Sequence, residues 1–182
     1  MKLKTIDYEN FNHYKKPSMV LGFPHCTFKC DKECGKQVCQ NNTLASAPDI
    51  KISKEEIFNK YINNHITSAI VCAGFEPFDD FADLFEFIAY VREEKKCNDD
   101  IVIYSGYTEE ELHKKNRCNL VLTLENNIEM IIPNCDMFQY IYLNFKNIIV
   151  KFGRFIPDQK PHYDDVLGVK LASDNQYAKK LS

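Results

Sequence analysis

The 182-residue chain has no apolar run approaching the ~20 residues that a membrane-spanning helix needs. Met1-Lys2-Leu3-Lys4-Thr5-Ile6 does not open a secretory apolar segment either, so a cytoplasmic protein with no membrane association is expected. Charge of one sign is also missing. With 23 Lys and Arg against 26 Asp and Glu, the formal charge is −3 and the isoelectric point is near 6.0. A chain without a basic field has little with which to neutralise a phosphate backbone, and nucleic acid is not expected as a partner. Glycine is scarce at six residues. Four of them, Gly22, Gly74, Gly106 and Gly153, lie at the ends of apolar runs, where the backbone must turn tightly or approach something closely.

Cysteine, by contrast, is plentiful and unevenly placed. Of eight cysteines, four (Cys26, Cys30, Cys34 and Cys39) fall within one polar loop at about 24–41. In a reducing compartment such a cluster reads as metal-binding before it reads as a disulfide framework, and Cys72, Cys97, Cys118 and Cys135 are too scattered to suggest one. A polar loop buries little apolar surface, so its order is expected from a metal or cluster held by thiolates. Three or four soft ligands select zinc, an iron–sulfur cluster or copper(I). Four thiolates would close the coordination sphere, whereas three would leave one iron of a 4Fe–4S cluster open to another ligand. His25, beside Cys26, reads as a polar loop residue because four thiols already stand nearby.

Around this loop the chain alternates strand and helix signals. Ser18–Phe23 is a buried strand candidate that delivers the cysteine loop from its carboxyl end. Ser53-Lys54-Glu55-Glu56 has capping-box spacing ahead of an apolar stripe of Ile57, Phe58, Tyr61 and Ile62. A second strand over 67–73 precedes Gly74-Phe75-Glu76-Pro77 and an amphipathic helix expected from Asp80 to about Glu94. Of Phe75, Phe78, Phe81, Phe85 and Phe87, most recur at helical spacing, and they are read as core before a stacking platform. A third strand, 101–105, runs into Gly106-Tyr107 and a second capping box, Thr108 to Glu111. The stretch from Cys118 to Cys135 is ambiguous, with Leu120 to Leu124 a strand candidate and Ile128 to Ile132 of either type. Asp136 to Phe145 reads as helix and 147–151 as a further buried strand before Gly153. Repeated βα units predict an α/β fold: a single domain over 1–182 with a parallel, incomplete barrel, shorter than the ~250 residues of a full eightfold one.

Taken together, the cysteine loop, Gly74-Phe75-Glu76-Pro77, Ser105-Gly106-Tyr107-Thr108, and the late Gly153-Arg154-Phe155 and Ser173-Asp174-Asn175-Gln176 resemble the radical S-adenosylmethionine activating proteins of anaerobic ribonucleotide reductase. The resemblance follows the family's order over most of the chain. It implies a 4Fe–4S cluster whose open iron binds the amino and carboxylate groups of S-adenosylmethionine, and reductive cleavage to a 5′-deoxyadenosyl radical that abstracts hydrogen from a partner glycyl-radical enzyme. A flavodoxin- or ferredoxin-like electron donor is implied as well. Gly74, Phe75, Glu76, Pro77 and Ser105 would bind the cofactor, and three of Cys26, Cys30, Cys34 and Cys39 the cluster.

The chain departs from the family pattern at three places. Glu33 stands where relatives place the third cysteine, which moves that ligand to Cys34 or Cys39; Cys39-Gln40-Asn41 resembles the family's Cys-x-Asn ending. Phe75 replaces a glycine before the Glu. Lys151 and Phe152, not an Asp, precede Gly153. The reading from another class is a non-catalytic electron-transfer or structural metal module that ligates all four loop cysteines.

Overall fold

The computed structural model describes residues 1–123 and 129–181. Strands β1 (Lys2–Leu3), β2 (Thr5–Asn10) and β3 (Ser18–Phe23) precede the short helix α1 (Lys29–Cys34). Next come β4 (Ile50–Lys51), α2 (Lys54–Ile62), β5 (Ala69–Gly74), α3 (Phe81–Ala89), β6 (Asp100–Tyr104) and α4 (Glu109–Lys115). A hairpin of β7 (Arg117–Thr123) and β8 (Glu129–Asp136) leads to α5 (Met137–Asn144) and β9 (Ile148–Phe152). The strands β10 (His162–Asp164), β11 (Val169–Leu171) and β12 (Tyr177–Lys180) follow.

Six of these strands form one open sheet in the order β12-β9-β6-β5-β3-β2. The inner four are mutually parallel, whereas β2 and β12 pair antiparallel with β3 and β9 at the two edges. The expected parallel partial barrel of repeated βα units is therefore corrected to a mixed six-stranded sheet, with five α-helices among the described residues. The physical reason lies at the edges. No crossover helix joins β2 to β3, and β12 returns only after the β10–β11 hairpin, so antiparallel strands take the hydrogen-bonding edges along which further parallel units would have continued the curve.

Along the inner strands, side chains alternate between two distinct cores. Met19, Leu21, Ile70, Cys72, Ile101, Ile103, Ile148 and Val150 face one side, where they pack against Ile57, Leu84, Phe87, Leu112, Phe138 and Ile141 of the helices. Val20, Ala69, Val71, Ala73, Val102 and Ile149 face the other, with no helical residue among them, and are covered by Tyr14, Leu167 and Leu171. Successive strands step in one direction across the sheet, and crossovers of one hand then place α2 to α5 on the same face. The opposite face, built mainly from Ala and Val, leaves room at the strand ends.

Local chemistry sets the helix boundaries. The Ser53 side chain accepts the Glu56 amide (3.0 Å) at the start of α2. Thr108 and Glu111 form a reciprocal capping box at α4. The single helix expected from Asp80 to Glu94 is instead a 3-10 turn opened by Pro77, the helix α3, and a π turn over Tyr90–Glu94. The ambiguous 118–135 stretch is the antiparallel β7–β8 hairpin, and the called ends Leu124 and Ile128 lie outside the described residues. Among the described residues, no helix is long and apolar enough to cross a membrane.

Candidate metal centre

At the carboxyl ends of the parallel strands, on the face opposite α2 to α5, lies a cavity of about 350 Å³. Cys26, Cys30 and Cys39 line it together with Gly74, Phe75, Glu76 and Ser105; Cys34 and Pro77 do not. The loop that carries the thiols leaves β3 and turns into α1 through Phe28, whose φ is 52°. Gly35 caps α1 in the left-handed conformation, and the chain then doubles back. Asp31 fixes that return: its Oδ1 accepts the amides of Val38 and Cys39, each at 2.8 Å. The loop is thereby folded so that Cys39 and Cys30 are electrostatic neighbours.

Burial pushes the Cys26 thiol up to about 12, against the opposing Phe28 amide that donates to its sulfur at 3.2 Å. The Cys30 thiol rises to about 11, first from burial and then from the Cys39 and Asp31 charges. Both thiols are held protonated at neutral pH, and a bound cation is what would favour their thiolates. Among the described residues, no three His, Cys, Asp or Glu side chains converge on a point that a single metal ion would occupy. Three thiols that share the wall of one cavity fit a polynuclear cluster that takes one thiolate at each of several irons. Glu33 turns away to Arg154 (3.5 Å). His25 is exposed and bonds Asp80.

The strand-end residues meet this loop from the other side. Gly74 has φ 84°, and a Cβ there would lie 2.7 Å from the Gly22 Cα and the Phe23 amide, so the glycine is required by the approach of β3. Its carbonyl accepts the Asn41 side chain, which ties the end of the cysteine loop to β5. Phe75 packs edge-to-face on Phe28, with ring centroids 5.3 Å apart, and so anchors the loop's first turn. Pro77 is buried behind the cavity at the start of its turn.

Glu76 is 4% exposed, and its carboxylate is fully engaged. It accepts the Ser105 hydroxyl (3.0 Å), the Gly106 amide (2.7 Å) and the Phe78 amide (3.2 Å). Burial nevertheless raises its pKa to about 7, with the Gly106 and Ser105 donors pulling the other way. Ser105 is thus a brace between the second and third strand ends, since its hydroxyl also accepts the Tyr107 amide at 3.0 Å.

Lys151 was not singled out in the sequence as a cavity residue, although it is the one charge inside an otherwise apolar strand run. It lines the cavity floor, 6% exposed, and donates to the carbonyls of Gly153 (2.6 Å) and Ser105 (3.4 Å). Burial lowers it to about 8, opposed by the Glu76 charge. Of the late polar segment, only Gln176 reaches the cavity. It donates to the Gly153 carbonyl (3.3 Å), while Asn175 holds the Arg154 carbonyl (2.9 Å). Gly153, at φ 94°, lets the chain pass Asn175, whose carbonyl a Cβ would approach to 2.9 Å.

No curated protein and no solved structure matches the chain. The family described as a 4Fe-4S single cluster domain matches residues 18–135, nearly two-thirds of the chain, from the first residue of β3 through the cysteine loop to Cys135 in β8. By that match the chain belongs to the 4Fe-4S single cluster domain family.

Proposed function

We propose that this protein is a radical S-adenosylmethionine enzyme of the glycyl-radical-activating type, with Cys26, Cys30 and Cys39 holding the 4Fe–4S cluster. The observation that carries the reading is one cavity at the strand ends lined by three of the four loop thiols and by Gly74, Phe75, Glu76 and Ser105. When bound, the cluster supplies the electron that cleaves the sulfonium of S-adenosylmethionine and a free coordination position for its amino acid group. The chain's own residues supply the rest. Asp31 presents Cys39, Phe28 and Phe75 keep water from the inner wall, and the Glu76–Ser105 brace fixes the spacing of two strand ends. Lys151 places a cation on the floor, suited to a carboxylate or another anionic group. The partner in this reading is a glycyl-radical enzyme such as anaerobic ribonucleotide reductase, served by a flavodoxin- or ferredoxin-like donor, and both come from the motif resemblance.

The test is anaerobic. Protein reconstituted with iron and sulfide, then reduced, is mixed with S-adenosylmethionine and followed by electron paramagnetic resonance and by chromatography. A cofactor-dependent spectral change with 5′-deoxyadenosine formation is expected. An assembled cluster that gives neither would overturn the reading in favour of a closed redox or structural centre.

A further inference from the structure

Cys118 and Cys135, far apart in sequence, are directly opposed Cα partners in the antiparallel β7–β8 hairpin. Directly opposed residues in an antiparallel pair have Cα atoms ~4.5–5.5 Å apart, inside the ~4.4–6.8 Å range that a disulfide spans. Both thiols are free; Cys118 is exposed and Cys135 half-buried, so a small reagent can reach them. Neither lines the cavity that holds Cys26, Cys30 and Cys39.

The frame around the pair holds its register. One residue nearer the hairpin base, Arg117 opposes Asp136. Arg117 donates to the carbonyls of His113 and Asn134, each at 3.2 Å, and the Met137 amide donates to the Asn116 carbonyl at 3.0 Å. His113 bonds Asp136 at 2.6 Å, and Asp136 caps α5 through the Gln139 amide (3.0 Å). On the far side, Asn119 accepts the Asn134 amide at 3.1 Å, beside the irregularity that separates Cys118 from Leu120. The two strands are thus tied on either side of the cysteines. Among the described residues, no His, Cys, Asp or Glu group able to hold a metal ion includes this pair, which leaves thiol–disulfide chemistry as what two apposed thiols can do.

We propose that Cys118 and Cys135 form a dithiol/disulfide couple, separate from the cluster site, that reacts with small-molecule disulfides. In the first step a thiolate, that of the more exposed Cys118, attacks one sulfur of the disulfide. A mixed disulfide forms, the reagent's S–S bond breaks and one thiol leaves. The Cys135 thiolate then attacks the Cys118 sulfur and expels the second thiol. The two cysteines lose two electrons and two protons, and the reagent gains them as two thiols. The closed bridge fastens the hairpin base next to the cap of α5.

Glutathione disulfide is the probe, applied anaerobically to the cluster-loaded full chain, followed by alkylation of residual thiols and peptide mass mapping. The expected result is a cross-link between the peptides that contain Cys118 and Cys135, with loss of two free thiols and recovery by dithiothreitol. In Cys118→Ser or Cys135→Ser the cross-link should vanish and the remaining cysteine should carry one glutathione. Both cysteines alkylated in the wild-type chain, each glutathionylated separately, or either bridged to a different cysteine would overturn the proposal. The wild-type map decides the matter without relying on the fold of any variant.

Discussion

The carboxylate of Asp31 accepts the backbone N–H of Cys39 at 2.8 Å, across eight residues of loop. That bond, with its twin to Val38, turns the loop back tightly and brings the Cys39 thiol to the wall shared by Cys26 and Cys30. Residues whose hydrogen bonds orient a metal-binding residue are typically worth ~10–100-fold in metal affinity. Asp31→Ala is therefore expected to weaken iron retention by about 10–100-fold, with Asp31→Asn less affected because its amide oxygen still accepts. Iron and sulfide content measured against a competing chelator checks this. Retention equal to wild type would mean that the return of the loop does not depend on Asp31.

Cys34 is predicted to be dispensable. It ends α1 and lies outside the cavity wall, whereas Cys26, Cys30 and Cys39 share it. Cys26→Ala, Cys30→Ala and Cys39→Ser should each abolish the brown cluster absorbance on anaerobic reconstitution, while Cys34→Ser keeps it. Loss in both Cys34→Ser and Cys39→Ser would point to a closed four-thiolate centre. Loss in Cys34→Ser alone would make Cys34 the third ligand.

Much of this arrangement was legible in the residues, and the parts that were not have identifiable causes. The inner strands are runs such as Met19-Val20-Leu21 and Ile101-Val102-Ile103, buried on both faces, and such runs announce themselves. The edges do not. Thr5-Ile6-Asp7-Tyr8-Glu9-Asn10 and Tyr177-Ala178-Lys179-Lys180 are polar because one side of each meets solvent, so neither gives a strong strand signal, and the sheet's true boundary was missed. A βα rhythm indicates parallel neighbours without saying how many there are or what closes the edges. At the site, the spacing of the cysteines left Cys34 and Cys39 equivalent, because the bond that separates them runs from Asp31 to backbone amides, which no side-chain pattern encodes. Lys151 left a trace as a charge within Ile148-Ile149-Val150-Lys151-Phe152, and its value as a cavity residue follows from the strand's alternation. The apposition of Cys118 and Cys135 needed the hairpin itself.

Phe75 is predicted to protect the cluster. Its ring packs edge-to-face on Phe28, the residue that enters α1 at φ 52°. Such a pair contributes ~0.5–1.5 kcal/mol beyond its area. Phe75→Ala should loosen the first turn of the loop and speed bleaching of the cluster in air by about fivefold, the factor that ~1 kcal/mol corresponds to. The decay of visible absorbance after exposure to oxygen measures it. An unchanged decay rate would show that the ring does not limit access.

The buried pair Glu76 and Lys151 is predicted to shape stability against pH in opposite senses. Glu76 has a folded pKa of about 7, above its ordinary 4.5, so between those values the folded chain binds the proton that the unfolded chain has released. Stability must then fall as pH rises through that window, by on the order of 3 kcal/mol for this group, and remain lower above it. Lys151 has a folded pKa of about 8, below its ordinary 10.5, so between those values the unfolded chain holds the extra proton. Stability must then rise with pH over that second window by a similar amount, of order 3 kcal/mol, as the unfolded state gives up its advantage. Urea unfolding of the metal-free chain under reductant should show the acid-side decline in wild type and its absence in Glu76→Gln. The alkaline recovery should disappear in Lys151→Met. The two changes fall in different pH windows and rest on different hydrogen-bond partners, Ser105 Oγ, Gly106 N and Phe78 N for Glu76 and the Gly153 and Ser105 carbonyls for Lys151. They are nonetheless coupled: the Glu76 charge holds the Lys151 pKa up, so Glu76→Gln should also move the start of the alkaline window to lower pH. A wild-type curve with neither slope would mean that water reaches both groups, and the cavity floor would then be wet instead of a dry support for a buried charge.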